Sequence, residues 1–267
     1  RAKRKIRELA YNFDVDGYIA PDLTILAEHI TEGNVVEMAY QEEPLAIIWC
    51  VRGDGQLIAL TYQREQEVVA WHRHIIGGSF GTGNAVVESV AVIPTEDSEY
   101  ELYVVVKRTI NNITRRYVEY LHTFNFTETD NTSFNYLDSQ LSLSKLQTTL
   151  TAGINATATT VPVASVSGLS TAGKIKIGGE IIAYTGISTL NLTGCTRGQN
   201  STTEVAHLSG AVTKEVVNTI SGLDHLEGQT VSILADGATH PTKVVDANGA
   251  ITLDRFSTDV KIGLQYT

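Results

Sequence analysis

Two histidines on one predicted strand are the first candidates for chemistry. His72 and His74 are separated by one residue, so in a strand both side chains point to the same face, a spacing that suits ligands of a metal ion. Arg73 between them points to the other face. Two ligands are too few for a metal site, and the sequence fixes no third carboxylate or imidazole beside them. We therefore interpret the pair as structural.

Two loops match ligand-binding motifs only in part. Asp14 and Asp16, followed by Gly17, match the start of a calcium-binding loop, but the third acidic position and the closing glutamate are missing. Residues 77–83 are rich in glycine, but no helical pattern follows, so no helix N-terminus is available to bind a phosphate. We predict a plain turn at the first loop and a flexible connection at the second.

Acid–base chemistry has two further sets of candidates. Asp224 and His225 can form an acid–base pair, but no G-x-S-x-G nucleophile motif occurs in the chain, so we interpret the run 224–227 as a capped turn. A glycosidase would need two carboxylates about 5–10 Å apart, a distance that the sequence does not set. Five carboxylates at predicted strand ends are candidates: Asp54, Glu65, Glu67, Glu88 and Glu96. We expect no catalytic residue, no cofactor and no metal ligand, and hence no enzyme.

The composition limits the class of protein. Apolar residues make up 42% of the 267 residues and charged residues 19%, which excludes a disordered polyelectrolyte. The net charge of −10 argues against binding of nucleic acids or anionic membranes by bulk electrostatics. Cys50 and Cys195 lie too far apart for a disulfide framework or a zinc motif, which indicates a cytosolic origin or indifference to redox state.

The N-terminal segment is basic. Five of the 20 Lys and Arg residues lie within residues 1–7, and no apolar stretch follows them, so this segment is predicted to be neither a signal peptide nor a membrane span. The chain begins with Arg1 and its single methionine is Met38. We expect the chain to be a portion of a longer protein.

The sequence patterns predict a mainly β protein with one short helix. Residues 21–30 place Leu23, Leu26, Ala27 and Ile30 on one helical stripe. Most of the following chain is typical of short strands joined by tight turns, including an Asp-Gly turn and an Asn-Asn turn. The predicted strands of this antiparallel meander are 46–51, 57–62, 67–74, 86–93, 100–107 and 114–121. Meanders of this kind build sandwiches, barrels and propellers.

A change of composition near residue 145 indicates further domains. From residue 146 to about 217 the chain is rich in Thr, Ala, Gly and Ser and nearly free of aromatic residues, which predicts a separate small β module. We expect residues 134–144 to pair with the C-terminal strands, so that this module is an insertion. The predicted domains are a partial propeller-like β region at 1–133, an inserted small β-barrel at 146–215, and a discontinuous C-terminal β domain at 134–145 and 216–267.

Several stretches resemble the tail tube and nozzle (stabilisation) proteins of short-tailed bacteriophages. The resemblance rests on residues 22–29, 44–55, 60–74, 87–94, 115–120, 222–231 and 234–237. It implies a structural protein of the virion tail with a propeller-like β domain, in which the meander forms part of the blades. It also implies a ring, typically a hexamer, at the distal end of the tail.

The inserted module is similar to the first catalytic cysteine half-domain of ubiquitin-activating enzymes, a small β module that recurs in phage structural proteins. The similarity rests on residues 173–186, 192–198 and 206–207. We expect no ubiquitin chemistry, because no nucleotide site and no second half-domain accompany it. Cys195 is interpreted as a packed apolar residue, and Arg197 and His207 as residues that fix a turn.

The resemblance and the composition together lead to one functional prediction. We expect a structural component of a phage tail tube or nozzle that is made in the bacterial cytoplasm, assembles into a ring with other tail proteins, and lets DNA pass without specific binding. No membrane contact is expected. The alternative is a tail module that binds or depolymerises host-surface carbohydrate, with Trp49, Trp71 and the tyrosines stacking on sugars. The mid-strand positions of both tryptophans favour a core role for them instead.

Overall fold

The chain folds almost entirely into antiparallel β-sheets. The structure is a computed structural model that describes residues 4–96, 99–122 and 128–265. Of the described residues, 55% lie in strands or bridges and no described helix reaches seven residues, so the mainly β class is confirmed. The chain divides into two compact units, unit 1 with residues 1–127, 135–139 and 264–267, and unit 2 with residues 128–134 and 140–263.

Unit 1 contains the first eleven strands. These are β1 (Ala10–Asn12), β2 (Gly17–Ile19), β3 (Val35–Gln41), β4 (Ile47–Arg52), β5 (Leu57–Gln63), β6 (Val68–His74), β7 (Ser79–Phe80), β8 (Gly83–Asn84), β9 (Val86–Pro94), β10 (Tyr100–Ile110) and β11 (Ile113–Leu121). A 3-10 turn, Arg64–Gln66, connects β5 to β6. The predicted meander is therefore present, with strand ends displaced by a few residues.

Two sheets of unit 1 pack face to face. Strands β3-β4-β5-β6 form one sheet, β11-β10-β9 form another, and the hairpins β1–β2 and β7–β8 are separate two-stranded sheets. One apolar cluster joins the two larger sheets, with Trp49 and Ala59 from the first and Val90, Leu102 and Val106 from the second. Alternation of buried and exposed residues along β10 explains this arrangement, because every second side chain faces the shared core.

Two tight turns set the registers of these sheets. Asn111 and Asn112 have φ of 48° and 59°, the left-handed backbone that a two-residue hairpin between β10 and β11 requires and that asparagine tolerates. Gly55 has φ of 85°, and a Cβ there would lie 2.3 Å from Val86 Cγ1. The Asp-Gly turn before β5 therefore needs glycine for both backbone conformation and space.

The predicted helix over residues 21–30 is wrong, because this segment forms a series of turns. Its backbone bonds are mostly of the tighter i to i+3 kind, such as the Ala27 N–H donating to the Thr24 carbonyl at 2.9 Å. Thr24 and Ala27 are buried, whereas Leu26 is 91% exposed. The apolar stripe is thus not buried as a unit, and packing of this segment has overridden its helical pattern.

The remaining strands lie mostly in unit 2. They are β12 (Leu137–Ser144), β13 (Gln147–Thr149), β14 (Thr160–Pro162), β15 (Gly173–Ile177), β16 (Glu180–Tyr184), β17 (Gly186–Ser188), β18 (Asn191–Thr193), β19 (Val212–Ile220), β20 (Thr230–Ala235), β21 (Ala238–Val244), β22 (Ile251–Ser257) and β23 (Asp259–Gln265). Two 3-10 turns, Gln199–Ser201 and Asp224–Leu226, complete the elements.

The inserted module consists of two sheets rather than the closed barrel that we predicted from the sequence. Strands β13-β19-β15-β16 form one sheet and β14-β18-β17 the other, and no sheet of the described residues closes on itself. Both sheets bury side chains in one core, including Val161, Ile175, Ile182, Tyr184 and Leu192. The short second sheet contributes only three-residue strands, which leaves too little backbone pairing to close a barrel.

The C-terminal strands take the chain back to the segment before the insertion. Strands β12-β23-β20-β21 form one four-stranded sheet, so the segment that precedes the module pairs with the end of the chain. Strand β19 pairs with β15 through its first half and with β22 through its second half. It therefore runs through the predicted boundary at residues 215 and 216.

Candidate functional site

The histidine pair lies on β6, on the face that carries the shared core of unit 1. His72 Nδ1 and His74 Nε2 lie 2.8 Å apart, and His72 Nε2 lies 3.1 Å from Thr61 Oγ1. The Trp49 ring packs against His74 with a centroid separation of 5.1 Å. One ring nitrogen of each imidazole is therefore engaged with the other imidazole.

Burial disfavours the charged form of both imidazoles. It lowers the pKa of His72, and it lowers the pKa of His74 to about 4, with a smaller contribution from the neighbouring His72. In the part of the chain that the structure describes, no group of three or more His, Cys, Asp or Glu residues is placed to hold a metal ion. The geometry gives the pair a structural role in joining β5 and β6.

The two partial loop motifs form turns. Asp14 and Asp16 lie in the turn between β1 and β2, where the Asp14 N–H donates to Asn12 Oδ1 and the Tyr11 hydroxyl donates to Asp16. The glycine-rich residues 77–83 contain the hairpin β7–β8, and a strand, not a helix, follows them. Neither loop has the arrangement that its motif requires for calcium or phosphate.

The acidic candidates pair with cations or lie in solvent. Asp54 accepts hydrogen bonds from Arg52 at 2.5 and 3.1 Å. Glu88 forms ion pairs with Arg116 and Lys107, which lower its pKa to about 2. Glu65, Glu67 and Glu96 are exposed. Asp224 and His225 lie in the 3-10 turn Asp224–Leu226, whose Leu226 is fully buried.

The most extensive buried polar cluster of unit 2 lies in the inserted module. Glu180 at the start of β16 accepts hydrogen bonds from Arg197 Nε at 2.8 Å and from Arg197 Nη2 at 2.7 Å, and its Oε2 lies 2.8 Å from His207 Nε2. The Gly198 and Val205 N–H groups also donate to this carboxylate, at 3.1 and 3.3 Å. Despite burial, these bonds lower the pKa of Glu180 to about 2.

The cluster holds two loops of the module in place. Arg197 also donates from Nη2 to the Val205 carbonyl at 2.6 Å and from Nη1 to the Asn155 carbonyl. Four of the five guanidinium N–H donors are thus engaged with the protein, which fixes the side chain between the two loops. We had anticipated Arg197 and His207 as turn-fixing residues, whereas Glu180, which joins them, was missed as a site residue.

A second buried cluster lies in unit 1. Arg108 is fully buried and donates from Nε to the Gly77 carbonyl at 2.7 Å and from both Nη atoms to Glu119. The Gly77 N–H donates to Asp138 Oδ2 at 2.6 Å, and burial raises the pKa of this carboxyl. These contacts fix the glycine-rich segment against β10. Arg108 could have been found from the sequence, since it occupies a core position in the alternating run of β10.

Neither cysteine has the environment of a nucleophile. Cys195 is buried in the core of the module, and desolvation raises its pKa above the ordinary value. Cys50 is completely buried, and desolvation raises its pKa to about 12. Both thiols therefore stay protonated at neutral pH.

A cleft of about 300 Å³ in unit 2 is one further candidate for ligand binding. Lys176 and Lys214 lie directly opposite each other on β15 and β19, and Asp236 and Asp259 line the same cleft. Lys214 Nζ lies 3.6 Å from Asp259 Oδ2, and the Asp236 carboxylate is held by Thr258. Because the positive charges of the two lysines equal the negative charges of the two aspartates, the cleft offers no net charge to an ionic ligand.

Comparisons with known proteins give no family assignment. No protein-family model matches the chain, and no curated protein matches it significantly. In the described ranges, none of the helices has the length and apolar character needed to cross a membrane. Function must therefore be argued from the geometry and from the resemblances in the sequence.

Proposed function

We propose that this chain is a structural component of a phage tail tube or nozzle, which assembles into a ring through which DNA passes. The observation that carries this proposal is a set of highly exposed, large apolar side chains near the N-terminus. Leu9, Phe13, Tyr18 and Leu26 are 73%, 89%, 73% and 91% exposed. Phe13 and Tyr18 both contact the Tyr11 ring, and exposed apolar side chains that lie together in this way are typical of a protein that packs against another protein.

The polar clusters of the two units support a structural role. Glu180, Arg197 and His207 bind loops of the module, and Arg108 and Glu119 bind the glycine-rich segment. Among the described residues, these clusters have their hydrogen-bonding groups directed at the protein itself. We infer that the face-to-face sheets of unit 1 correspond to two blades of a propeller.

The charge of the chain supports a conduit for DNA. With 30 acidic and 20 basic residues, the net charge is −10. A negative wall repels phosphates, so DNA that enters the ring moves through it without being held. The protein would contact other tail proteins and copies of itself, and it needs no cofactor for this role.

Negative-stain electron microscopy of the purified chain tests the proposal. We expect closed rings, and we expect the same protein to join tails that lack it when the two are mixed. Only monomers or irregular aggregates, together with normal tail assembly in the absence of the protein, would contradict the proposal.

The exposed aromatic residues near the N-terminus bear on the alternative of a carbohydrate-binding tail module. Tyr11, Phe13 and Tyr18 are exposed aromatic side chains on the hairpin β1–β2. Their rings pack edge to face on each other, at centroid separations of 5.0 and 5.6 Å, which engages them with each other rather than leaving an open platform for a sugar. Binding of the purified chain on a glycan array, abolished by Phe13→Ala, would favour this alternative.

A further inference from the structure

A cleft of about 320 Å³ lies in unit 1, beside the histidine pair. Three segments line it: the Asp-Gly turn with the start of β5, the end of β6 with His74, and the hairpin β7–β8 with the residues that follow it. Its volume is at the lower end of the range of small-molecule sites, about 300–1,000 Å³. The cleft therefore has room for a ligand of the size of one small ring system.

Backbone hydrogen bonds hold the walls of this cleft in place. The Val87 N–H donates to the Gly55 carbonyl at 2.8 Å, which ties the Asp-Gly turn to the segment after β8. The Ala85 N–H donates to the Gly78 carbonyl at 3.1 Å, which closes the loop that carries the hairpin β7–β8. Strand β6 pairs with β5 along its whole length. The cleft is thus formed by the fold itself, as most small-molecule sites are.

Three polar side chains of the cleft keep hydrogen-bonding capacity for a ligand. In the described structure, the side-chain amides of Gln56 and Asn84 make no hydrogen bond, and each amide has two donor hydrogens and an acceptor oxygen. His74 uses Nε2 for its contact with His72, and its Nδ1 has no hydrogen-bond partner among the described residues. The cleft thus collects two amides and one imidazole whose capacity the protein does not use.

The groups that line the cleft present no free charge at neutral pH. Asp54 is the charged residue among them, and its carboxylate accepts hydrogen bonds from Nε and Nη2 of Arg52. Burial lowers the pKa of His74 to about 4, which favours the neutral imidazole at pH 7. A ligand that matches these groups is uncharged and carries both hydrogen-bond donors and acceptors.

Phe80 adds an aromatic ring to the cleft. Lys107 Nζ lies 4.4 Å from the centre of this ring, and the same ammonium pairs with Glu88 at 2.8 Å, so its charge is balanced within the protein. An aromatic ring beside amides suits a ligand that has hydroxyl groups and an apolar face. A sugar ring has both, because its hydroxyls donate and accept hydrogen bonds while its C–H groups pack on aromatic rings.

We propose that this cleft binds one neutral sugar unit, with its hydroxyls bonded to Gln56, Asn84 and His74 and its C–H groups packed on Phe80. The site is separate from the exposed aromatic residues of the hairpin β1–β2. A sugar site here adds a binding activity to the proposed structural role and does not depend on that role, since none of these groups is needed for a ring to form.

Ligand-observed NMR with the purified chain tests the proposal. The probes are the methyl glycosides of glucose, galactose, mannose and N-acetylglucosamine at millimolar concentration, with glucuronate as a charged comparison. We expect saturation transfer to at least one neutral glycoside. In Gln56→Ala with Asn84→Ala, the dissociation constant should rise by about tenfold or more, because two hydrogen-bonding groups are removed. The matched control, Gln66→Ala with Asn248→Ala, removes exposed amides outside the cleft and should leave binding unchanged.

A second variant tests the aromatic contact. Phe80→Leu keeps an apolar side chain but removes the ring, and it should weaken binding by about twofold to tenfold. Urea unfolding followed by tryptophan fluorescence, with transitions equal to that of the parent, shows that each variant is folded.

The outcomes separate this site from the other proposals. Absence of saturation transfer to all four neutral glycosides, or a double variant that binds as tightly as the parent, would overturn the site. Binding that is lost in Phe13→Ala and kept in the double variant would place the sugar on the hairpin β1–β2 instead. Binding of glucuronate alone would overturn the neutral class of ligand. Ring formation is measured separately by electron microscopy, so failure of the sugar site leaves the proposed function standing.

Discussion

Removal of the Glu180 carboxylate is the sharpest perturbation of unit 2. The side chain is 0% exposed and its partner Arg197 is 5% exposed. In Glu180→Ala, the guanidinium loses two contacts of 2.7 and 2.8 Å and remains buried without a counterion. Breaking a buried ion pair from one side costs about 3–5 kcal/mol. We expect the free energy of unfolding of unit 2 to fall by this amount.

Hydrogen exchange with mass spectrometry measures this loss locally. Trp49 and Trp71 are the only tryptophans and both lie in unit 1, so tryptophan fluorescence monitors that unit. In Glu180→Ala, amides of β14 to β18 should exchange faster, while the fluorescence transition in urea stays where it is. The matched control, Glu204→Ala, removes an exposed carboxylate from the neighbouring loop and should change stability by less than about 0.5 kcal/mol.

Two further results would test the reasoning. A loss below about 1 kcal/mol in Glu180→Ala would refute the view that this ion pair holds the loops. The double variant Glu180→Met with Arg197→Met removes both charges and should be more stable than either single variant. Because the folded pKa of Glu180 is about 2 against an ordinary 4.5, its contribution is complete above pH 4.5 and disappears as the pH falls towards 2.

Three more predictions concern other buried groups. Burial lowers the pKa of His74 from 6.5 to about 4, so protonation of this imidazole favours the unfolded chain. The free energy of unfolding of unit 1, measured in urea, should therefore be constant above pH 6.5 and fall by up to about 3 kcal/mol towards pH 4. This loss should be smaller in a His74→Gln variant. Arg108→Met leaves Glu119 and Asp138 without their cation, so the free energy of unfolding of unit 1, measured by fluorescence in urea, should fall by about 3–5 kcal/mol. The control Arg116→Met removes an exposed cation and should lower the same free energy by less than about 1 kcal/mol. The Cys50 and Cys195 thiols should resist alkylation at pH 8 until the chain is unfolded, and rapid labelling of the folded protein would contradict their burial.

Local patterns predicted the strands of unit 1 well. Short apolar runs bounded by tight turns predict β4 and β5, and side-chain alternation adds to this signal in β10, since both signals act within a few residues. The left-handed φ of Asn111 and Asn112 is a local property of asparagine in a two-residue turn. Such elements need no knowledge of the rest of the fold.

Elements that depend on distant contacts were predicted less well. Residues 21–30 have a helical stripe, but they bind distant groups instead: the Trp71 indole donates to the Leu23 carbonyl at 2.8 Å and Arg73 donates to the His29 carbonyl at 2.8 Å. The hairpin β1–β2 was not anticipated, because its strands have only three residues each. Short strands carry too little periodicity to be recognised.

The candidate site residues show the same difference between signals that are local in the sequence and contacts that only the fold creates. His72 and His74 were found from their spacing, but their mutual hydrogen bond depends on burial that the spacing does not reveal. Glu180 was missed because it is separated by 17 residues from Arg197 and by 27 from His207. Only the folded module brings the three together.

The location of the chain in the virion tests the central claim most directly. Gold-labelled antibodies against the purified chain can be applied to intact particles of the phage that encodes it and examined by electron microscopy. The account predicts label in a ring at the tail, at a position that matches the rings formed by the purified chain. Label absent from particles, or spread along fibres that bind host glycans, would contradict it.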